Sequence, residues 1–170
     1  EQPTGFYNGV AKTSLRFNPA ADAYLTREFD APSNNKKWTY STWIKRSKIG
    51  GHQAIISSNV DGNNYFDFRF SATSSHVDQL FLQNRVGGSN LIAGYTAAEF
   101  RDPSAWYNIV LIYDSDNSTT ASRTLLYVNG VNHVLSEIAA DGEASYFNVD
   151  GINHNFGASR TSDSSGTVWS

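Results

Sequence analysis

The side chains that could do chemistry in this 170-residue chain are carboxylates and amides on turns and aromatic rings on strands. Asp114-x-Asp116-Asn117 opens like a calcium loop, and Asp61 stands beside Asn63 and Asn64 in NVDGNN. A hard cation takes oxygen ligands of these kinds from turns, so Asp61 with Asn63 and Asn64 is one candidate calcium set, and Asp114, Asp116 and Asn117 are a second. The second set lacks the glycine and the distant glutamate that complete a calcium loop. Asx-rich turns also close hairpins without any metal, so no cofactor is required. A sugar site needs an aromatic ring beside convergent polar groups. Tyr65, with Asn63, Asn64 and Asp67 around it in NNYFDFRF, is the candidate ligand-binding residue, and Tyr146 and Trp106 are alternatives. The competing explanation for all three rings is packing across strands.

Catalytic patterns are missing. A retaining glycosidase holds two carboxylates about 5 Å apart. The nearest spacing here is Glu137-x-x-x-Asp141-x-Glu143, where Gly142 reads as a turn. No G-x-S-x-G elbow, phosphate loop or dinucleotide fingerprint occurs. His52, His76, His133 and His154 are scattered, and cysteine is absent. The expectation is a non-enzyme with no catalytic residue. Net charge is −3, and no basic stripe interleaves with the aromatics, which argues against nucleic acid. No apolar run is long enough to insert in a membrane. Residues 1–50 hold eight lysines and arginines against four acids, and the remainder is acidic. That asymmetry is either solvated surface or a head-to-tail contact between copies.

The elements that must position these groups are strands. Alternation predicts strands at 14–18, 23–29, 38–46, 52–58, 64–72, 79–85, 90–95, 106–114, 123–130 and 131–136, with weaker ones at 145–149 and 155–159. Helical signals reduce to single turns at 97–100 and 135–140. In NYFDFRFSA, Tyr65, Asp67 and Arg69 share one face, and Phe66, Phe68 and Phe70 share the other. Asn129-Gly130 between apolar alternations predicts a type I′ hairpin. WYNIVLIYD is apolar on both faces, as in a strand covered on both sides. In WTYSTWIKR, Trp38 and Trp43 point to opposite faces. The surrounding strands predict burial of both: Trp38, Tyr40 and Ile44 against one layer, and Trp43 under another. Together these strands predict an all-β, antiparallel two-sheet sandwich over residues 1–170, with no linker or repeat. Without methionine and starting at Glu1, the chain reads as a piece of a longer protein.

In order, these residues resemble a known family: Leu15-Arg16-Phe17, WTYSTWIK (38–45), IISS (55–58), FRDPSAWYNIVLIYD (100–114) and LYVNGV (126–131). The chain resembles laminin-G-like, concanavalin A-like jelly-roll domains from residue 14 to about 160. FRDPSAWY with KRSK is most similar to variants in structural and tail proteins of bacteriophages, especially marine ones. The resemblance implies a jelly roll whose closing strand, after NFGASRTSD, is not evident here. That leaves a sheet edge near residues 14–18 open to strand addition. It implies a non-enzymatic module of a virion or other extracellular or cell-surface assembly, a capsid decoration or tail fibre. Its partners would be other copies, other virion proteins and surface glycans. A free calcium-dependent lectin-like module is the alternative, and a laminarinase-type glycoside hydrolase is the third reading.

Overall fold

A computed structural model describes residues 13–18, 23–32, 34–136 and 142–159. Its strands are β1 (Leu25–Glu28), β2 (Lys37–Lys45), β3 (Gln53–Asp61), β4 (Asn64–Thr73), β5 (His76–Val86), β6 (Ser89–Glu99), β7 (Trp106–Asp114), β8 (Thr124–Val128), β9 (Val131–Asn132) and β10 (Asn153–Phe156). They form a six-stranded sheet in the order β1-β10-β3-β4-β5-β6 and a four-stranded sheet in the order β2-β7-β8-β9. Every ladder between them is antiparallel. The fold is an all-β, antiparallel two-sheet sandwich, as the alternation predicts, of the jelly-roll kind that the resemblance implies.

The core is the apolar half of each alternating strand. Ile56, Phe66, Phe68, Phe70, Leu80, Leu82 and Ile92 from the six-stranded sheet meet Ile109, Leu111, Tyr113, Leu126 and Val128 from the four-stranded one. The Asn129-Gly130 turn joins β8 to β9, with both residues at positive φ (51° and 78°), the conformation a type I′ turn needs.

Polar closures seal the two ends of the sandwich. At one end the loop after Gly142 folds in over the sheets. Phe147 packs against Trp38, Tyr40, Phe66 and His154, and the Trp38 indole N–H donates to Ser145 Oγ (2.7 Å). His154 is fully buried. It accepts from the Asn148 N–H at Nε2 (3.0 Å) and lies 3.1 Å from the Ile152 carbonyl through Nδ1, so the fitting form is the neutral ring protonated at Nδ1. At the other end, Arg46 follows β2 and reaches Asp78 on β5 (2.8 Å), Gln53 on β3 (2.8 Å) and the Phe100 carbonyl. Its guanidinium lies 4.4 Å over the Phe70 ring. Burial opposes ionisation of Asp78. The Gly50 N–H, Arg46 and Arg101 outweigh it and hold the carboxyl below its ordinary range.

Several expectations change. Residues 14–18 form no strand, and that segment approaches the sheet through a side chain. Phe17 lies so close over Gly157 that a Cβ there would stand 2.7 Å from the ring. The predicted turn at 97–100 is instead the end of β6, which runs to Glu99. The strand predicted at 131–136 keeps two residues and then one bridge, Thr96 to Leu135. Residues 145–149 are the irregular end closure. The turn at 135–140 lies largely outside the described residues, as do Glu137, Asp141 and everything from residue 160, where a closing strand would fall. Trp43 is not core. It is 37% exposed on the outward face of β2. WYNIVLIYD is likewise not covered on both sides: Val110 and Ile112 are half-buried and Trp106 is 48% exposed.

Two predictions follow from this packing. Trp38→Ala, which empties a buried ring contact, costs about 3–5 kcal/mol, while Trp43→Ala costs about 1 kcal/mol. Urea unfolding of the two variants measures the contrast, and equal losses would put Trp43 back in the core. Burial, outweighing backbone hydrogen bonds to Ile152 and Arg27 that act the other way, holds the His154 pKa below its ordinary 6.5. The unfolded chain therefore binds the extra proton, and stability is full above pH 6.5 and declines as pH falls below it. His52, also depressed mainly by burial, adds to the same slope. His154→Gln flattens the pH 7 to 5 dependence of urea stability, and an unchanged slope would exclude His154 as its source.

Candidate functional site

Burying Phe66, Phe68 and Phe70 forces Tyr65, Asp67 and Arg69 to the outward face of β4. Strand register then decides what stands beside them. One row across the sheet reads Asn59, Tyr65, Arg85, Asn90. The next reads Asn155, Ser57, Asp67, Gln83, Ala93. The third reads Ala54, Arg69, Phe81, Tyr95. The three rows cover the outer face of the six-stranded sheet with amides, two guanidinium groups, one carboxylate and three aromatic rings.

The rows are cross-linked. Arg69 forms an ion pair with Asp67 through Nη1 and stacks its guanidinium 4.5 Å over Phe81. Phe81 packs against Tyr95, whose ring stacks on His76 at 3.9 Å. Gln83 donates to the Asn90 side chain (3.0 Å). Asp67 is buried, with Ser57 and Asn155 in its row. Tyr65, Gln83 and Arg85 remain half-exposed. Such a surface offers a ring face for stacking and planar donors and acceptors for hydroxyl groups. It offers one carboxylate, already committed to an arginine.

Of the predicted ligand residues, Tyr65 and Asp67 share this face. Asn63 and Asn64 do not. They lie in or beside the β3–β4 turn, where the Asn64 side chain donates to Asp61 (3.0 Å) and accepts from the Gly87 N–H (2.8 Å). The Asn63 carbonyl accepts from Gly88. Both asparagines fasten one turn to the next. Tyr146 belongs to the end closure, packed against the core. Arg85, Gln83 and Tyr95 were not picked out by sequence reasoning. Alternation in QLFLQNR puts Gln83 and Arg85 on one face, but only the register places them beside Tyr65.

Trp43 and Trp106 form a second aromatic feature on the other sheet. Trp43 pairs with Asn108 and Lys45 with Trp106, so the two indoles are diagonal neighbours on the outward face. The signal for Trp43 was present: Lys37, Thr39, Ser41 and Lys45, all polar, share its side of the strand. A groove of about 400 Å³ lined by Pro32, Asn35, Lys36 and Asp150 holds none of the candidate residues.

The calcium candidates each meet partners within the protein. Asp61 spends its carboxylate on the Asn63 N–H (2.7 Å) and on Asn64. These bonds, the Asn64 side chain first, lower its pKa. Asp114 faces Lys37 (3.2 Å) and Asp116 faces Lys36 (3.7 Å). Asn117 accepts from the Thr119 N–H (2.9 Å). Calcium takes about six to eight oxygens, and among the described residues no three acidic or histidine side chains converge.

A family model described as the concanavalin A-like lectin/glucanases superfamily matches residues 19–165. No curated protein matches the chain.

Millimolar calcium is expected to leave the melting temperature unchanged, because a ligand of the native state raises it by mass action. Thermal unfolding with calcium and with EDTA checks this, and a rise of several degrees would mean that the carboxylates exchange their lysines and amides for the metal.

Proposed function

The chain belongs to the concanavalin A-like lectin/glucanases superfamily, and from that premise we propose that it is a non-catalytic glycan-binding module. The observation that carries this reading is the outer face of β4–β6. There Tyr65 stands half-exposed among Asn59, Gln83, Arg85 and Asn90, an aromatic ring ringed by planar hydrogen-bonding groups. Hydrolysis needs two carboxylates across a glycosidic bond. The three rows supply Asp67 alone, tied to Arg69. Binding on this reading needs no metal and one copy of the chain, which acts outside the cell or on a surface assembly.

A second reading is favoured by β2, the end strand of the four-stranded sheet. Its nine residues present one row of backbone groups with no partner strand among the described residues. Such an edge accepts a strand from another chain, as a virion or tail-fibre module would in its assembly. Light scattering on the purified chain separates the readings: stable oligomers at micromolar concentration support assembly, and a monomer supports the free module.

For the main reading, Tyr65→Ala is expected to weaken glycan binding about tenfold or more, the loss of a stacked ring and its contacts, with little change in melting temperature. Affinity electrophoresis in gels carrying different polysaccharides, with and without EDTA, is the measurement. Retention unaffected by Tyr65→Ala but lost in Trp43→Ala or Trp106→Ala would move the site to the four-stranded sheet. No retention by any polysaccharide would end the reading.

A further inference from the structure

The charges in the three rows around Tyr65 are not balanced, while Glu99 at the far end of the β4–β6 face pairs with Arg101 (2.8 Å). The rows carry Arg69 and Arg85 against Asp67, in a chain whose net charge is −3. Asp61 lies on the adjoining turn, its carboxylate occupied by Asn63 and Asn64. Arg69 is fixed on two sides, by Asp67 through Nη1 and by the Phe81 ring beneath it. Arg85 stands directly across from Tyr65. The Nε atoms of both arginines are buried and meet no hydrogen-bond partner among the described residues, and the same holds for Asp67 Oδ1. Atoms so enclosed are out of a ligand's reach, so contact from outside falls to the exposed ends of the two guanidinium groups: Arg85, half-exposed directly across from Tyr65 and without an ion-pair partner among the described residues, and Arg69, four residues along β4 from that ring. A guanidinium fork matches an anionic group with two coplanar oxygens better than it matches a hydroxyl.

Resting on the glycan-binding reading above, we propose that this site takes an acidic saccharide, with a ring carboxylate or sulfate ester held by Arg85 and Arg69 while Tyr65 carries the sugar face. Asp67 orients Arg69 from a buried position. Desolvation of Arg69, which lowers its pKa, gives an incoming anion more to gain there than at a hydrated lysine.

The test is calorimetric titration of the full chain with three oligosaccharides of equal length: an oligogalacturonate for the carboxylate, a sulfated galactan fragment for the sulfate, and a neutral galactan fragment. At least one acidic oligosaccharide is expected to bind about tenfold tighter than the neutral one, the size of one charge-assisted hydrogen bond, and the preference shrinks as salt rises. Whichever acid wins identifies the anion. Arg85→Gln removes most of the preference and leaves neutral binding in place. Arg85→Lys, which keeps the charge and loses the fork, falls between and serves if Arg85→Gln does not fold. Neutral binding equal to or tighter than acidic binding overturns the charge preference while leaving the glycan module standing. So does a preference that survives Arg85→Gln. Binding of none of the three, together with no retention in the polysaccharide gels, overturns both.

Discussion

The two-residue period of an extended strand governs this molecule. Phe66, Phe68 and Phe70 cannot enter the core without sending Tyr65, Asp67 and Arg69 out of it. Leu80 and Leu82 do the same for Phe81 and Gln83 on the next strand. The dry interior and the decorated exterior are therefore one arrangement seen from two sides. A one-residue slip of β4 would bury two charges and expose three phenylalanines at once. That penalty keeps the register, and the register keeps the rows of the candidate site aligned.

A sandwich with a dry middle still has two open ends, and the chain closes each with polar chemistry. At one end Arg46 links β2 of the smaller sheet to β3 and β5 of the larger. Asp78 supports it from a left-handed backbone position (φ 62°), where aspartate is among the better-tolerated residues. A buried ion pair of this kind adds little net stability over an apolar pair, but losing one member strands a charge. At the other end a phenylalanine and a neutral histidine do the sealing, with Ser145 meeting the indole N–H of Trp38. Both closures join strands distant in sequence, and so fix how the sheets face one another. The carboxylates that resembled calcium ligands have ordinary tasks in this framework: they close turns and meet the lysines at the start of β2.

Much of this was legible in advance. Alternation located most strands, Asn129-Gly130 located a hairpin, and the ordered motifs pointed to the superfamily that the family model matches. The reading went wrong where a residue's fate depended on a neighbour distant in sequence. Residues 14–18 alternate like a strand but have no ladder to join. AAEF reads as a helical turn in isolation, yet its first three residues extend β6. Trp43 looked like core because the surrounding strands read as covered on both faces, although four polar residues on its own face said otherwise.

By itself, the sequence determined which residues of each strand lie together on a face, because that follows from the backbone repeat and needs no partner. It also determined the chain's all-β character and the chemistry available on the outward face of β4. Only the tertiary structure decided which faces are covered, since cover comes from a second sheet or loop elsewhere in the chain. It left Trp43 and Trp106 in solvent and drew Asn63 and Asn64 into a turn. It set Arg85 across from Tyr65, because cross-strand neighbours are fixed by turn geometry and ladder register, which no single strand encodes.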